Sequence, residues 1–241
     1  MTFTDAFDGK RILVVGGARG IGAEIASRLD AAGAEVLVAA RDLDRAATFA
    51  RSLKHASAVR VDVLDETSVA AAAERVAAVD HVVSLASAHH DVPVAALEYD
   101  KMVSAFGTKV FGPLLLAKHF ATQVRPGGSF LFFSGIVGWR PRTGNLVKGI
   151  ANGALAYVAA HLAVELAPIR VNAIAPGIVD SDVWDRLGDE RKQALLTRAA
   201  ADSLVGRHGE RADVAGAALW LLAAGYVTGE VIHVDGGARH R

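Results

Sequence analysis

Short, nearly unbroken apolar runs alternate along this chain with longer stretches in which apolar residues recur every three or four positions. The runs lie at residues 11–15, 35–39, 59–63, 81–85, 129–133, 170–174 and 231–234. A strand covered on both faces has no polar side to show to water. Such runs therefore predict buried strands rather than half-exposed ones. Between them, Ile21, Ile25 and Leu29 recur at helical spacing, and Leu155, Val158 and Leu162 share one stripe. Strand–helix alternation implies right-handed crossovers. The expected architecture is α/β, a doubly wound Rossmann fold with a seven-stranded parallel sheet.

Composition narrows the picture. The chain has 241 residues, 52% of them hydrophobic and 22% charged, with no fixed-period repeat and no low-complexity linker. One domain spanning 1–241 is expected. The longest apolar run, 215–227, is interrupted by Gly216 and Gly225 and is too short for a bilayer span, so it reads as a core or subunit-contact helix and no membrane is expected. Residues 1–10 carry Asp5 and Asp8 and no apolar core, so no secretory leader is expected and the cytoplasm is the expected compartment. Lys+Arg and Asp+Glu are both 26, a balance that disfavours nucleic acid as the main partner. Cysteine is absent, which removes disulfides, thiol nucleophiles and Cys-ligated metals.

The first predicted strand runs directly into Gly16-Gly17-Ala18-Arg19-Gly20-Ile21-Gly22, and a helical pattern follows. Glycines let a backbone turn tightly against a pyrophosphate, and the helix N-terminus supplies N–H donors and positive dipole. Without a ligand the same pattern is only a tight turn, but here it opens the first strand–turn–helix unit. An acidic residue ending the second strand would favour NAD by pairing with the ribose 2′-hydroxyl. This chain has Arg41 there, and Arg19 within the turn. Two guanidinium groups suit a 2′-phosphate, so the expected cofactor is NADPH/NADP⁺. Asp42 reads as the cap of the next helix.

Over essentially its whole length the sequence resembles the short-chain dehydrogenase/reductase family. The glycine turn is similar to that family's TGxxxGIG, with Val15 in the threonine place. Asp62-Val63 falls where the family contacts adenine. Ser84-Leu85-Ala86-Ser87 stands in place of its NNAG segment, with the alanine retained, so the resemblance implies that Ala86 and Ser87 border the cofactor. Arg170-Val171-Asn172-Ala173-Ile174-Ala175-Pro176-Gly177 resembles its IRVNAIAPG. That likeness implies that Pro176, Gly177 and Val179 lie along the nicotinamide, with Ser181 in a threonine position. The resemblance also implies a homo-oligomer, either a dimer or a tetramer.

The catalytic pattern departs from the family. Its Tyr-x-x-x-Lys would fall, in ungapped alignment from Glu165-Leu166-Ala167, on Lys148 and Asn152. The serine slot falls on Gly135, one residue after Ser134, and Lys109 stands where the family has Asn. The tyrosines are Tyr99, Tyr157 and Tyr226, none of them in the slot. Ketone reduction needs a proton for the developing alkoxide, so another source is required. Lys148 can supply it if desolvated, or it is an ordinary solvated or paired lysine at a helix start. Asn152 either bonds the nicotinamide ribose or makes a local backbone contact. Ser134 either holds a carbonyl or caps a strand end. His89 and His90 offer imidazole, or are surface polar residues. The remaining source is the substrate itself, through a phenol beside the reacting ketone.

Residues 181–211 are charged and helical, and the resemblance makes them a substrate lid. Trp184 and Trp139 offer rings for stacking a planar substrate, or pack ordinarily. Arg140 and Arg142 face an acidic group or form a solvated loop. No metal site is expected. The chain further resembles atypical ketoreductases of aromatic polyketide biosynthesis, of the angucyclinone type found in simocyclinone-like antibiotics, which implies a polycyclic aromatic ketone as substrate. The alternatives are a silent NADP(H)-binding sensor, and a dehydratase or isomerase on the same scaffold.

Overall fold

The computed structural model describes residues 6–241, so the part of the leader reading that turns on residues 1–5 lies outside the described residues. Seven strands form one parallel sheet. They are β1 (Arg11–Val15), β2 (Glu35–Ala40), β3 (Ala56–Arg60), β4 (Val79–Ser84), β5 (Val124–Phe133), β6 (Arg170–Pro176) and, last in the chain, Val231–Val234. A separate two-stranded ladder, absent from the sequence expectation, joins β7 (Val179–Asp180) to β8 (Gly209–Glu210), so the C-terminal strand is β9. The spatial order of the large sheet is β3-β2-β1-β4-β5-β6-β9. Strand order reverses between β1 and β4, and the crevice at such a reversal is where open α/β sheets bind ligands.

Among the described residues eight α-helices flank the sheet: α1 (Gly20–Ala31), α2 (Leu43–Ala50), α3 (Glu66–Val76), α4 (Tyr99–Phe106), α5 (Gly112–Phe120), α6 (Leu146–Glu165), α7 (Asp189–Asp202) and α8 (Arg211–Ala223). One apolar layer joins Leu13, Leu37, Phe130 and Phe132 to Val69, Leu116, Phe120 and Leu155 of α3, α5 and α6. The opposite layer joins Ile12, Val14, Val36 and Leu131 to Ile25 and Leu29 of α1 and Val214, Leu221 and Leu222 of α8. Alternate residues of each central strand thus feed opposite layers, as period-two side-chain alternation requires. Helix α6 is long and apolar enough by length and composition to cross a membrane, yet its Val147, Ala151, Leu155, Ala159 and Leu162 are buried within the fold.

Several boundaries differ from the sequence expectation, for identifiable reasons. The third strand ends at Arg60, where its ladder with Ala40 of β2 ends, so Asp62 and Val63 lie in the loop beyond it. It is also an edge strand whose positions are mostly not buried, as is β9. The expectation of strands covered on both faces holds for the central ones only. Helix α8 stops at Ala223, short of 227, where Ala224 takes a non-helical conformation.

Buried His81 ties β4 to β5 through a hydrogen bond of 2.9 Å between Nδ1 and the Ser129 hydroxyl. Burial, helped by the Arg170 charge, pushes its imidazole down to about 4. The folded chain therefore keeps His81 neutral while an unfolded chain protonates it from about pH 6.5 downward. The unfolded state binds more protons between these values, so stability rises with pH there and is lost as pH falls through the window. Up to about 3 kcal/mol is at stake by this linkage. Tm is expected to fall between about pH 6.5 and 4, and the fall should be shallower in a His81→Gln variant.

Candidate active site

One cleft of about 900 Å³ opens at the C-terminal ends of the strands. It is built first from the turn after β1. Gly16 has φ +82°, a conformation that residues with a Cβ rarely adopt. A Cβ on Gly22 would lie 2.1 Å from the Gly16 carbonyl oxygen. The turn and the first residues of α1 are thus packed backbone on backbone, which leaves the helix N-terminus open toward the cleft. Gly16, Ala18, Arg19, Gly20 and Ile21 all line it. A bound pyrophosphate fits such a cradle, where backbone N–H groups converge and no side chain intervenes.

Arg41 follows β2 into the same cleft, and a third guanidinium, Arg45, joins it from the first turn of α2. Asp42 is the helix cap, accepting from the Arg45 backbone N–H at 3.0 Å. Its carboxylate is engaged by Arg45, through the backbone N–H and, at 3.7 Å, the guanidinium, and this end of the cleft carries three guanidinium groups. The position of Arg45 was open to sequence reasoning, because a capping Asp42 puts residue 45 in the first turn. Asp62 and Val63 line the cleft from the loop after β3, and Ala86 and Ser87 from the segment after β4. On the far side lie Pro176, Gly177, Val179 and Ser181.

Ser134, Lys148 and Asn152 all line the same cleft. The Ser134 hydroxyl donates to the Asn152 backbone carbonyl at 2.8 Å, and its own N–H donates to the Ile174 carbonyl at 2.8 Å. Its oxygen lone pairs remain able to accept. Asn152 is 2% exposed, and its Oδ1 has no partner among the described residues. A buried amide oxygen in that condition is costly, and a donor on a bound ligand would satisfy it. Lys148 is paired with Asp91 at 3.0 Å. The paired alternative is therefore the one realised, not an isolated ammonium in an apolar pocket.

The histidine pair departs from a simple surface reading. His90 is buried, and its Nε2 accepts from the Glu98 N–H at 2.9 Å. His89 lines the cleft within 3.3 Å of the Ser87 hydroxyl, and burial followed by the Lys148 charge pushes it down to about 4. It is therefore neutral near pH 7 and offers no imidazolium. Arg140 and Arg142 are not a solvated loop either: both reach Asp202 at the end of α7, at 3.1 and 2.7 Å. Trp184 lines the cleft, with its indole N–H on the Val179 carbonyl at 2.9 Å. Trp139 packs edge-on against His233 with ring centres 4.5 Å apart. Tyr99, Tyr157 and Tyr226 are 75%, 73% and 104% exposed, and none of them lines the cleft. Among the described residues no cluster of metal-ligating side chains occurs.

Residues 16–239 match the family model described as Enoyl-(Acyl carrier protein) reductase. The human 3-oxoacyl-[acyl-carrier-protein] reductase is 33% identical over 234 residues, covering 93% of this chain and 95% of that one. The chain belongs to the short-chain dehydrogenase/reductase family. Short-chain reductase protein NovJ of Streptomyces niveus is 33% identical over 245 residues, covering 93% of this chain and 92% of that one. A small-chain dehydrogenase solved in complex with NADPH superposes with a TM-score of 0.82 at 32% identity, covering 97% of this chain and all of that one. This short-chain dehydrogenase/reductase is an NADP(H)-dependent oxidoreductase. The sequence resemblance and the parallel seven-stranded sheet agree with that membership.

Proposed function

We propose that this short-chain dehydrogenase/reductase reduces a ring ketone of a polycyclic aromatic substrate, of the aromatic polyketide class, and that the substrate's own phenol provides the proton. One observation carries the reading. The glycine turn, the guanidinium cluster and the Ser134–Asn152 end share one cleft, while every tyrosine lies outside it on the surface.

Bound NADPH supplies the hydride. Arg19, Arg41 and Arg45 neutralise a 2′-phosphate, and the turn from Gly16 to Gly22 holds the pyrophosphate. Asp62 and Val63 border the adenine, and Ala86, Ser87, Pro176, Gly177, Val179 and Ser181 border the rest of the dinucleotide. The Asn152 Oδ1 accepts from a ribose hydroxyl. Ser134 accepts a hydrogen bond from the product alcohol, since its own proton is already on the Asn152 carbonyl. Trp184, fixed by its indole hydrogen bond, presents a face to a planar ring.

The reduced oxygen then takes the proton of a phenol one hydrogen bond away and leaves a phenolate. The protein's task is positioning and exclusion of water. Residues 181–211 form the lid over a single domain. Asp202 under Arg140 and Arg142 ties that lid to the loop after β5. Ile150, Tyr157 and Val164 make an exposed apolar stripe at seven-residue spacing on α6, which supports a homo-oligomer.

A tetralone with a hydroxyl peri to its carbonyl is the simplest probe. Saturable NADPH oxidation on adding it is the expected result, and saturable NADPH binding without turnover would restore the sensor reading. Arg41→Ala is expected to weaken NADPH about tenfold while NADH changes less than about twofold, measured by nucleotide fluorescence titration.

A further inference from the structure

We propose that the ammonium of Lys109 is the charge that stabilises, and then reprotonates, the oxyanion left on the substrate by reduction. The inference rests on the ketoreductase reading above and gives the otherwise unused Lys109 a place in it.

Lys109 lies in a π-helical turn, Gly107–Phe111, between α4 and α5. An extra residue in a helical turn re-aims the side chains around it and is frequent at functional sites. Lys109 is 7% exposed and lines the cleft beside Ser134 and Asn152. Its Nζ donates to the Phe133 carbonyl, the backbone group immediately before Ser134. No carboxylate pairs with it among the described residues, whereas Lys148 holds Asp91. An ammonium has three donors. A lone buried cation with one backbone acceptor is costly to keep, and a neutral side chain would serve that carbonyl equally well. An anion arriving with the ligand removes the cost.

The charges around Lys109 fit this role. Lys148 faces it from α6, the neutral His89 from the segment after β4, and from β5 the Phe133 carbonyl. Burial and the Lys148 charge together push Lys109 down to about 8. Away from the cation an ordinary phenol has a pKa of about 10, so as the product moves off, its phenolate becomes the stronger base and takes the ammonium's proton. The balance closes: the ketone gains hydride at carbon and the phenol's proton at oxygen, Lys109 returns a proton to the phenolate, and the neutral amine regains one from solvent once the product has left the cleft.

The test needs a readout besides turnover. Naphthol, a planar phenol with no reducible carbonyl, is titrated into the NADP⁺ complex and followed by its phenolate absorption. The native chain is expected to bind naphtholate tenfold or more tightly than naphthol, since an opposite charge nearby lowers a phenol's pKa by about one to three units. Lys109→Met should lose that preference, with NADP⁺ affinity within about twofold and a Tm no lower than that of the native chain. It should also lose the decline in reduction rate above about pH 8. Lys109→Arg should keep the naphtholate preference and lose the decline near pH 8, because a guanidinium does not deprotonate in this range; it holds the anion and leaves the return of the proton to solvent.

Equal naphtholate preference in the native and Lys109→Met chains overturns the proposal. So does a tenfold loss of NADP⁺ affinity in Lys109→Met with the preference intact, which would make Lys109 a cofactor contact. If the native chain fails to reduce the hydroxylated tetralone, the ketoreductase reading fails instead, and the naphthol titration still judges the cation.

Discussion

Methylating the phenol beside the reacting carbonyl is expected to slow reduction about 10²- to 10⁴-fold, the usual worth of a positioned proton donor. Affinity for the methyl ether should change little, because the ring system that fills the cleft is kept. The expectation follows from setting aside Ser134, Lys148, His89 and the tyrosines as donors to the reacting oxygen, and from Lys109 acting only afterwards, on the phenolate. Ser134 has committed its proton to the Asn152 carbonyl. Lys148 is held by Asp91 across 3.0 Å. His89, pushed down to about 4, carries no extra proton near pH 7. The exposed tyrosines lie away from the cleft. A phenol on the substrate supplies what the chain lacks. Stopped-flow comparison of the hydroxylated tetralone with its methyl ether separates the effects: kcat falls and KM holds if the phenol acts in the transition state. Equal rates would remove the phenol from the mechanism.

Gly22→Ala is expected to abolish saturable NADPH binding, raising Kd by at least about 100-fold, which is the loss of two charge-assisted hydrogen bonds. The added methyl would sit 2.1 Å from the Gly16 carbonyl oxygen and 3.1 Å from the Gly17 Cα. Both obstacles are backbone, so no side chain can swing aside. The N-terminus of α1 must lift from the turn, and the N–H groups that cradle the pyrophosphate go with it. The same substitution at Gly216 is the control. That helical glycine has nothing within 4 Å of its built Cβ, so alanine there should leave binding intact and stabilise α8 by up to about 1 kcal/mol. Fluorescence titration and thermal melting of the two variants provide the comparison.

The buried strands were legible because coverage on both faces leaves an unbroken apolar run, and Arg11–Val15 stands where the pattern put it. The third strand was misplaced because Val59, Val61 and Val63 continue the alternation past the end of the ladder, which is set by β2 and is invisible locally. The cofactor half of the cleft was legible because its determinants are short-range: a turn, a cap, the last residue of a strand. The substrate half depends on pairs distant in sequence. Asp202 meets Arg140 and Arg142 from about sixty residues away, and Lys148 meets Asp91 across a similar span. No local pattern marks such partners, so the sequence left the arginines between an acidic partner and a solvated loop. Lys109 stood out only as an unusual residue in a family position. Its burial, its π-helical turn and its lack of a carboxylate emerge from packing alone.

The central claim is that this chain reduces a ketone with no tyrosine in the act. Replacing Tyr99, Tyr157 and Tyr226 together by phenylalanine tests it most directly: Tyr99 and Tyr226 are exposed, where such changes shift stability by only about 0.5 kcal/mol each, and phenylalanine keeps the apolar ring of Tyr157 on the α6 stripe. The account predicts kcat/KM for the hydroxylated tetralone within about twofold of the native chain, with NADPH affinity unchanged. Loss of turnover in a folded, NADPH-binding triple variant would contradict it.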